Sequence, residues 1–164
     1  MSSYSVASGF GWRIHQVLLI RLLGIMILFT VCRILFYFFN QAFFPEVTLA
    51  LAPRLFLGGL RFDLVAVLYT NILYVFLTLI PVTFKYRLTF QKFLDYLFII
   101  ANSIALLANC ADFIYYRFTI KRSTWSVLQE FSHENNMHKL FGGFLVNYWY
   151  VAPIWVLLVV LVVK

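Results

Sequence analysis

Polar side chains with helical spacing interrupt an apolar stretch in the second half of the chain. Asn102, Asn109 and Asp112 follow one another at i, i+7 and i+10, so they lie on one side of a helix. Asp95 and Tyr116 extend the same side. Because an unpaired ionisable group in hydrocarbon is costly, this side is expected to face other helices or a wet cavity. The chemistry that it offers is hydrogen bonding and charge pairing between helices.

A basic cluster, Arg117, Lys121 and Arg122, directly follows this polar stripe at the expected membrane surface. Arginine binds phosphate through two parallel hydrogen bonds, and lysine binds it as a point charge. Arg33 and Arg61 are expected at the same side of the membrane. These five cations are the candidate contacts to a lipid headgroup or to another domain.

A second polar stripe begins at Asp63 and includes Asn71. The short basic segment 82–92 joins the two stretches, so they are expected to be antiparallel neighbours. Asp63 and Asp112 then lie at the same end, and Asn71 and Asn102 lie at similar depths. The residues predicted to form polar pairs inside the membrane are Asp63, Asn71, Asn102, Asn109 and Asp112.

Two roles remain open for the charges at this end. In the structural interpretation, Arg33 and Arg61 neutralise Asp63 and Asp112 and lock the helices together. In the functional interpretation, the cations outnumber the carboxylates, and the surplus positive charge suits a lipid phosphate. Both roles can hold in one molecule.

The composition is typical of an integral membrane protein. Of the 164 residues, 63% are hydrophobic and 12% are charged, and the mean hydropathy is +0.90. Soluble domains have about 45–50% apolar and about 25% charged residues. With about 20 residues needed per crossing, four spans and short loops account for the chain. The predicted fold class is all-α integral membrane, with about four transmembrane helices plus a short interfacial helix and no soluble domain.

The whole chain, 1–164, is predicted to be a single transmembrane domain. The spans are expected at about 17–39, 62–80, 93–115 and 146–163. Residues 116–140 are predicted to form an extracytoplasmic loop. Within it, Trp125, Leu128 and Phe131 fall on one side of a helix that would lie flat in the interface.

Other residue types indicate no catalysis and no metal binding. His133 and His138 are five residues apart, whereas zinc-binding histidines on one helix face are four apart. Cys32 and Cys110 both lie in apolar segments and are interpreted as packing residues. No catalytic residue, metal ligand or cofactor is therefore predicted in this chain.

The net charge of +7 is dispersed among apolar segments and forms no basic face of the kind that binds nucleic acid. Membrane lipids, and anionic phospholipids above all, are the expected partners. The positive residues divide almost evenly between the two sides, so the positive-inside rule does not settle the orientation. Because the segment 82–92 is almost purely basic, the N-terminus is predicted to be cytoplasmic.

Three stretches, CRILFYFFN, GLRFDLVAVLYTN and NSIALLANCADFIYYRFTIKRST, resemble a known family. They are similar to the N-terminal membrane region of the lipoteichoic-acid-synthase-like phosphoglycerol transferases, in the alkaline phosphatase/sulfatase superfamily, and most to the Bacteroidetes-type versions. The resemblance covers essentially the whole chain. It implies a multi-pass protein of the bacterial inner membrane, in which about five spans precede a large extracytoplasmic catalytic domain.

In that family the catalytic domain carries a divalent metal and a threonine nucleophile. None of those residues can be assigned here, so the metal is expected only in a catalytic domain absent from this sequence. The resemblance implies that the chain is the membrane anchor portion, and a fragment, of such an enzyme. It would present a phospholipid headgroup to the missing domain, which would itself be a partner.

Two alternatives belong to other functional classes. The chain could be a free-standing small membrane subunit that binds a partner membrane protein through the two polar stripes. A weaker alternative is an ion or proton pathway along those stripes. Four spans would make a thin wall, and the sequence shows no evident broken helix of the kind that transporters use.

Overall fold

Helices make up almost all of the chain that the structure describes. The structure, a computed structural model, describes residues 3–44, 51–81, 87–119 and 148–163, and no strand occurs among them. The helices are α1 (Ser3–Asn40), α2 (Ala52–Thr70), α3 (Ile72–Leu79), α4 (Leu88–Thr119) and α5 (Val151–Val163), with a 3-10 turn at Gln41–Phe43. The all-helical part of the predicted fold class is confirmed for these residues.

Two helical segments are long and apolar enough to cross a membrane: Arg13–Phe43, which comprises most of α1 and the 3-10 turn, and Leu88–Tyr116 of α4. A third crossing is present if α2 and α3 together form one bent span. Helix α5 has 13 residues. At 1.5 Å per residue it is about 20 Å long, whereas the hydrocarbon layer is about 30 Å thick. Two or three crossings are thus supported, and the predicted four are not confirmed.

Helix boundaries follow local chemistry. Pro53 lies in the first turn of α2, where its missing N–H costs no hydrogen bond. Ile80 has the extended backbone that a residue before proline prefers, with φ −57° and ψ 129°, so α3 ends before Pro81. Helix α1 begins at Ser3, well before the predicted start of the apolar span at residue 17.

The segment predicted as one span over 62–80 is broken. Helices α2 and α3 meet at Asn71 with a bend of 62°. The backbone of Asn71 has left the helical region, with φ −102° and ψ 11°. Its amide Nδ2 donates to the Val67 carbonyl at 2.9 Å, and that carbonyl also accepts the Asn71 backbone N–H at 3.0 Å. A side chain inserted into the helical hydrogen-bond pattern is a recognised cause of kinks. The expectation that no broken helix occurs was therefore wrong.

Contacts at the middle and at the end of α1 show that α1 and α4 run parallel. Arg21 pairs with Asp95 near the start of α4, whereas the Asn40 amide donates to the Phe113 carbonyl near its end. The end of the bundle around Arg21 is called the proximal end below, and the end around Asn40 is called the distal end.

The α2–α3 pair and α5 run in the opposite direction. Arg33 in the distal half of α1 pairs with Asp63 of α2, before the chain reaches α3 at the proximal end. Tyr150, the residue before α5, stacks on Phe39 at the distal end. Further along α5, Trp155 Nε1 donates to the Ser103 carbonyl of α4 at 3.0 Å. Successive segments therefore alternate in direction, and the start of α1 and the end of α5 share the proximal end.

The core lies between α1 and α4, with the other helices packed around them. Its fully buried apolar side chains include Ile25, Val67 and Leu106. Cys32 and Cys110 are buried free thiols in the same core. Many large apolar side chains point outward instead, as is expected of helices surrounded by lipid.

Candidate functional site

Three sets of polar side chains cross the apolar core at different depths. The proximal tier is Arg21, Tyr74 and Asp95; the central tier is Asn71 and Asn102; the distal tier is Arg33 and Asp63. Arg21 and Arg33 are twelve residues apart on α1, which corresponds to about 18 Å along the helix axis. The two charged tiers thus lie at different levels along the bundle, with the amide tier between them.

The distal tier is an ion pair enclosed by α1 and α2. Arg33 Nη2 lies 2.5 Å from Asp63 Oδ1, and the two side chains are only 18% and 12% exposed. The guanidinium also donates to the backbone carbonyls of Phe56, at 3.4 Å, and Gly59. A buried ion pair is tolerated when further hydrogen bonds occupy the remaining donors, and these carbonyls meet part of that requirement. Arg33 is thus placed to neutralise the Asp63 carboxylate, as the structural interpretation of the sequence expects.

Gly59 makes room for the Arg33 side chain on the surface of α2. A Cβ atom added at Gly59 would overlap the guanidinium, whereas one added at the neighbouring Gly58 would meet no atom within 4 Å. A side chain at position 59 would therefore displace the guanidinium of Arg33 from its present place. The sequence interpretation used this Gly-Gly pair only as part of a family motif, because its partner lies on another helix.

The central tier is a reciprocal amide pair. Asn71 Nδ2 donates to Asn102 Oδ1 at 3.0 Å, and Asn102 Nδ2 donates to Asn71 Oδ1 at 2.8 Å. Each Nδ2 also donates to the carbonyl four residues earlier, that of Val67 or of Phe98. Both side chains are fully buried. The two donors of each amide group are thus occupied, and the pair joins the α2–α3 junction to α4.

The proximal tier joins three helices through Arg21. Its Nη2 lies 2.7 Å from Asp95 Oδ1 on α4, and its Nη1 donates to the Tyr74 hydroxyl of α3 at 3.1 Å. The guanidinium also lies 5.4 Å from the centre of the Phe98 ring, within cation–π range. Sequence reasoning missed this tier, because Arg21 was not among the predicted site residues. The opposite charges of Arg21 and Asp95 at one depth were the available signal.

Aromatic rings surround the distal end of α4. Tyr116 makes an edge-to-face contact with Phe36, with ring centres 5.0 Å apart, and it stacks on Phe44 at 5.6 Å. The sequence interpretation placed Tyr116 on the polar stripe, and the structure places its ring in this aromatic cluster. Asn40, whose side chain is fully buried, was not singled out from the sequence.

A cavity of about 340 Å³ opens beside the distal tier, between α1, α2 and α4. Arg33, Gly59 and Tyr116 border it. The rest of its wall is apolar: Phe36, Phe44, Leu55 and Phe62. A single cation beside aromatic and aliphatic walls is suited to a ligand that has an anionic group and an apolar part.

The remaining predicted site residues have different surroundings. Asp112 is buried, and Asn109 Nδ2 donates within its own helix to the Ala105 carbonyl at 3.0 Å. Arg61 is exposed on α2.

The backbone of Arg117 belongs to α4, which continues to Thr119 and so includes the first residues of the predicted loop 116–140. Lys121, Arg122 and the predicted interfacial helix lie outside the described residues. The basic cluster of Arg117, Lys121 and Arg122 therefore stays a prediction.

Together, the apolar helices and the three tiers define the class of the protein: a helical bundle with two or three segments that could span a membrane, joined by polar pairs at three depths. Comparisons with protein-family models, curated proteins and solved structures find no match to this chain. The arguments about function therefore start from the bundle itself.

Proposed function

We propose that this chain is the membrane-anchoring domain of a phosphoglycerol-transferase/sulfatase-like enzyme, and that its distal end holds an anionic phospholipid headgroup. In this proposal the protein is a four-span protein of the bacterial inner membrane. The proximal end is cytoplasmic, and the distal end faces an extracytoplasmic catalytic domain that supplies the divalent metal. The enzyme class rests on the resemblance of the sequence.

The observation that supports headgroup binding is the cavity beside Arg33. Arg33 lies seven residues before the end of α1, or about 10 Å along the helix, which is a depth from which a guanidinium can reach the headgroup layer. Asp63 neutralises much of its charge, so Arg33 alone is a weak attraction for a phosphate. Additional cations are needed, and in the proposal Arg61, Lys121 and Arg122 provide them together with Arg117.

Photocrosslinking from the cavity wall tests headgroup binding. Phe62, which is 77% exposed and borders the cavity, would be replaced by benzoylphenylalanine in protein reconstituted into nanodiscs. Phosphatidylglycerol is expected to be captured in preference to phosphatidylcholine. In the triple variant Arg61→Gln/Lys121→Gln/Arg122→Gln this preference should fall, by about fivefold for each cation that contacts the headgroup layer.

The matched control removes cations at the other end of the bundle. Arg87 and Lys92 are exposed near the start of α4, and the double variant Arg87→Gln/Lys92→Gln should leave crosslinking at position 62 unchanged. Equal capture of both lipids by the unaltered protein, or an unchanged preference in the triple variant, would refute headgroup binding at the distal end.

The enzyme class has a separate test in the coding DNA beyond codon 164. A reading frame that continues into a soluble domain with a metal site and a threonine nucleophile supports the anchor. A stop codon at that point would favour the alternative of a free-standing membrane subunit. With the longer chain, lipid-dependent turnover should fall in the Lys121→Ala/Arg122→Ala variant.

An ion or proton pathway is a second candidate, and the break at Asn71 is the observation that favours it. Transporters place broken helices near the middle of the membrane, where freed backbone groups meet the transported ion. Here, however, the Asn71 and Asn102 amides bond to each other. Proteoliposomes containing the protein should show no more ion or proton flux than empty liposomes. A flux that the Asn102→Leu variant abolishes would support the pathway instead.

A further inference from the structure

An apolar groove runs along α1 at the proximal end, on the side that faces α5. Its volume is about 510 Å³, within the range of ligand-binding pockets. Ile20, Gly24 and Ile27 of α1 form one wall, Leu161 and Val163 of α5 form the other, and Phe98 of α4 also borders it. The groove lies along the part of α1 that can cross a membrane, so acyl chains are the molecules around it.

A polar cavity of about 230 Å³ adjoins this groove. Val17 and Arg21 border both spaces, so the two are neighbours. The polar cavity is lined by Arg13, Tyr74, Thr78, Gln91 and Asp95 as well. An apolar groove that ends beside a polar cavity has the shape of a site for a lipid, with the chain along the helix and the headgroup at its end.

The charges of the polar cavity suit an anion. Arg13 and Arg21 border it together with one carboxylate, that of Asp95, which already pairs with Arg21. The cavity therefore has a surplus of one positive charge. Arg87 and Lys92 add exposed cations near the start of α4, at the same end of the bundle. Cations at the membrane surface favour anionic over zwitterionic lipids.

From this shape and charge we infer that the proximal end binds an anionic glycerophospholipid of the adjacent leaflet. The phosphate lies at Arg13 and Arg21, and one acyl chain lies in the groove between α1 and α5. This site is separate from the proposed distal headgroup site, because Arg21 and Arg33 are about 18 Å apart along α1. The inference of a proximal lipid site does not depend on the proposed enzyme class.

Two glycines provide a matched test of the groove. A Cβ atom added at Gly24, which lines the groove, would meet no atom within 4 Å, and the same is true of Gly58 on α2. Gly24→Phe therefore directs a ring into the groove from a position that has room for its Cβ atom, and Gly58→Phe places the same ring on another surface. Native mass spectrometry in detergent with added phosphatidylglycerol measures the bound lipid.

The unaltered protein and Gly58→Phe are expected to retain one phosphatidylglycerol molecule more tightly than phosphatidylcholine. Gly24→Phe should weaken retention at least about tenfold, because losing the burial of only two methylene groups has an effect of this size. Arg13→Gln should reduce the preference for phosphatidylglycerol about fivefold while phosphatidylcholine binding stays the same.

Three results would overturn the inference. The first is equal retention in Gly24→Phe and Gly58→Phe. The second is displacement of the lipid by soluble glycerol phosphate, which would show that only the phosphate is bound. The third is a dimer of this chain that Gly24→Phe disrupts, which would mean that a second copy occupies the groove. Should Gly24→Phe fail to fold, Arg13→Gln alone decides, and an unchanged lipid preference would refute the site.

Discussion

Arg33 and Gly59 depend on each other although they lie on different helices. The guanidinium occupies the space that a side chain at residue 59 would fill, and it bonds to the Gly59 carbonyl and to the Asp63 carboxylate. A charged group in an apolar bundle is thus satisfied partly by the backbone of its neighbour. Two predictions follow from this arrangement at the level of single residues.

The adjacent variants Gly59→Ala and Gly58→Ala should change stability in opposite directions. In Gly59→Ala the new methyl group displaces the guanidinium, and the loss of charged hydrogen bonds should cost about 1.5–3 kcal/mol. In Gly58→Ala the methyl group meets open space, so the better helix propensity of alanine should stabilise by about 0.5–1 kcal/mol. Reversible unfolding by dodecyl sulfate in mixed micelles measures both. A similar effect of the two variants would contradict the close approach.

A double-mutant cycle should show strong coupling between Arg33 and Asp63. Arg33→Met and Asp63→Leu are each expected to destabilise by about 3–5 kcal/mol, because each leaves one buried charge without its partner. The double variant should lose less than the sum of the two. The same unfolding assay provides the energies. Additive losses would show that the two side chains do not stabilise each other.

At the scale of helices, the break at Asn71 is the feature that determines the course of the chain. It lets α2 follow the distal half of α1 while α3 brings Tyr74 to Arg21 at the proximal end. The sequence predicted both polar stripes from their spacing. It did not predict the break, because the bonds of Asn71 to the Val67 carbonyl and to Asn102 depend on the packed structure.

Replacing Asn71 by leucine should reduce the bend between α2 and α3. The variant removes the side-chain bond to the Val67 carbonyl and leaves the Asn102 amide without its partner. Spin labels at the exposed positions Leu57 and Phe76 should move apart, as measured by pulsed electron paramagnetic resonance.

The cost in stability should be about 0.6–1.7 kcal/mol, the average and the upper value measured for hydrogen bonds between membrane helices. Thr78→Val is a control within α3, since the Thr78 hydroxyl bonds only to its own helix in the described residues. If the label distance is the same in Asn71→Leu and in the unaltered protein, packing of α3 rather than Asn71 sets the bend.

At the scale of the whole molecule, the helix directions alternate. The start of α1 and the end of α5 therefore lie on the same side of the bundle, the proximal side. Hydrophobicity predicted the membrane class and the positions of α1 and α4, because long apolar runs carry their own signal. The helix directions were expected only from short connections. The Arg21–Asp95 pair was missed because it requires knowing that α1 and α4 lie side by side and parallel.

Cysteine labelling tests this arrangement in whole cells and inverted vesicles. In a variant with Cys32 and Cys110 replaced by alanine, single cysteines would replace His15, Phe43 or Trp149, all of which are exposed. Positions 43 and 149 should react from one side of the membrane and position 15 from the other. In the proposed orientation, position 15 reacts from the cytoplasm. Labelling of positions 43 and 149 from different sides would refute the alternating topology.

The two ion pairs have a consequence for biosynthesis. Arg21 and Arg33 emerge from the ribosome first, whereas Asp63 and Asp95 follow only with α2 and α4. An unpaired arginine in a newly inserted helix is costly, by about 2.5–3.5 kcal/mol at the centre of the membrane and by less towards its surfaces. We therefore expect the translocon to retain α1 until the later helices arrive, so that the first helix to be synthesised is released into the lipid together with its partners.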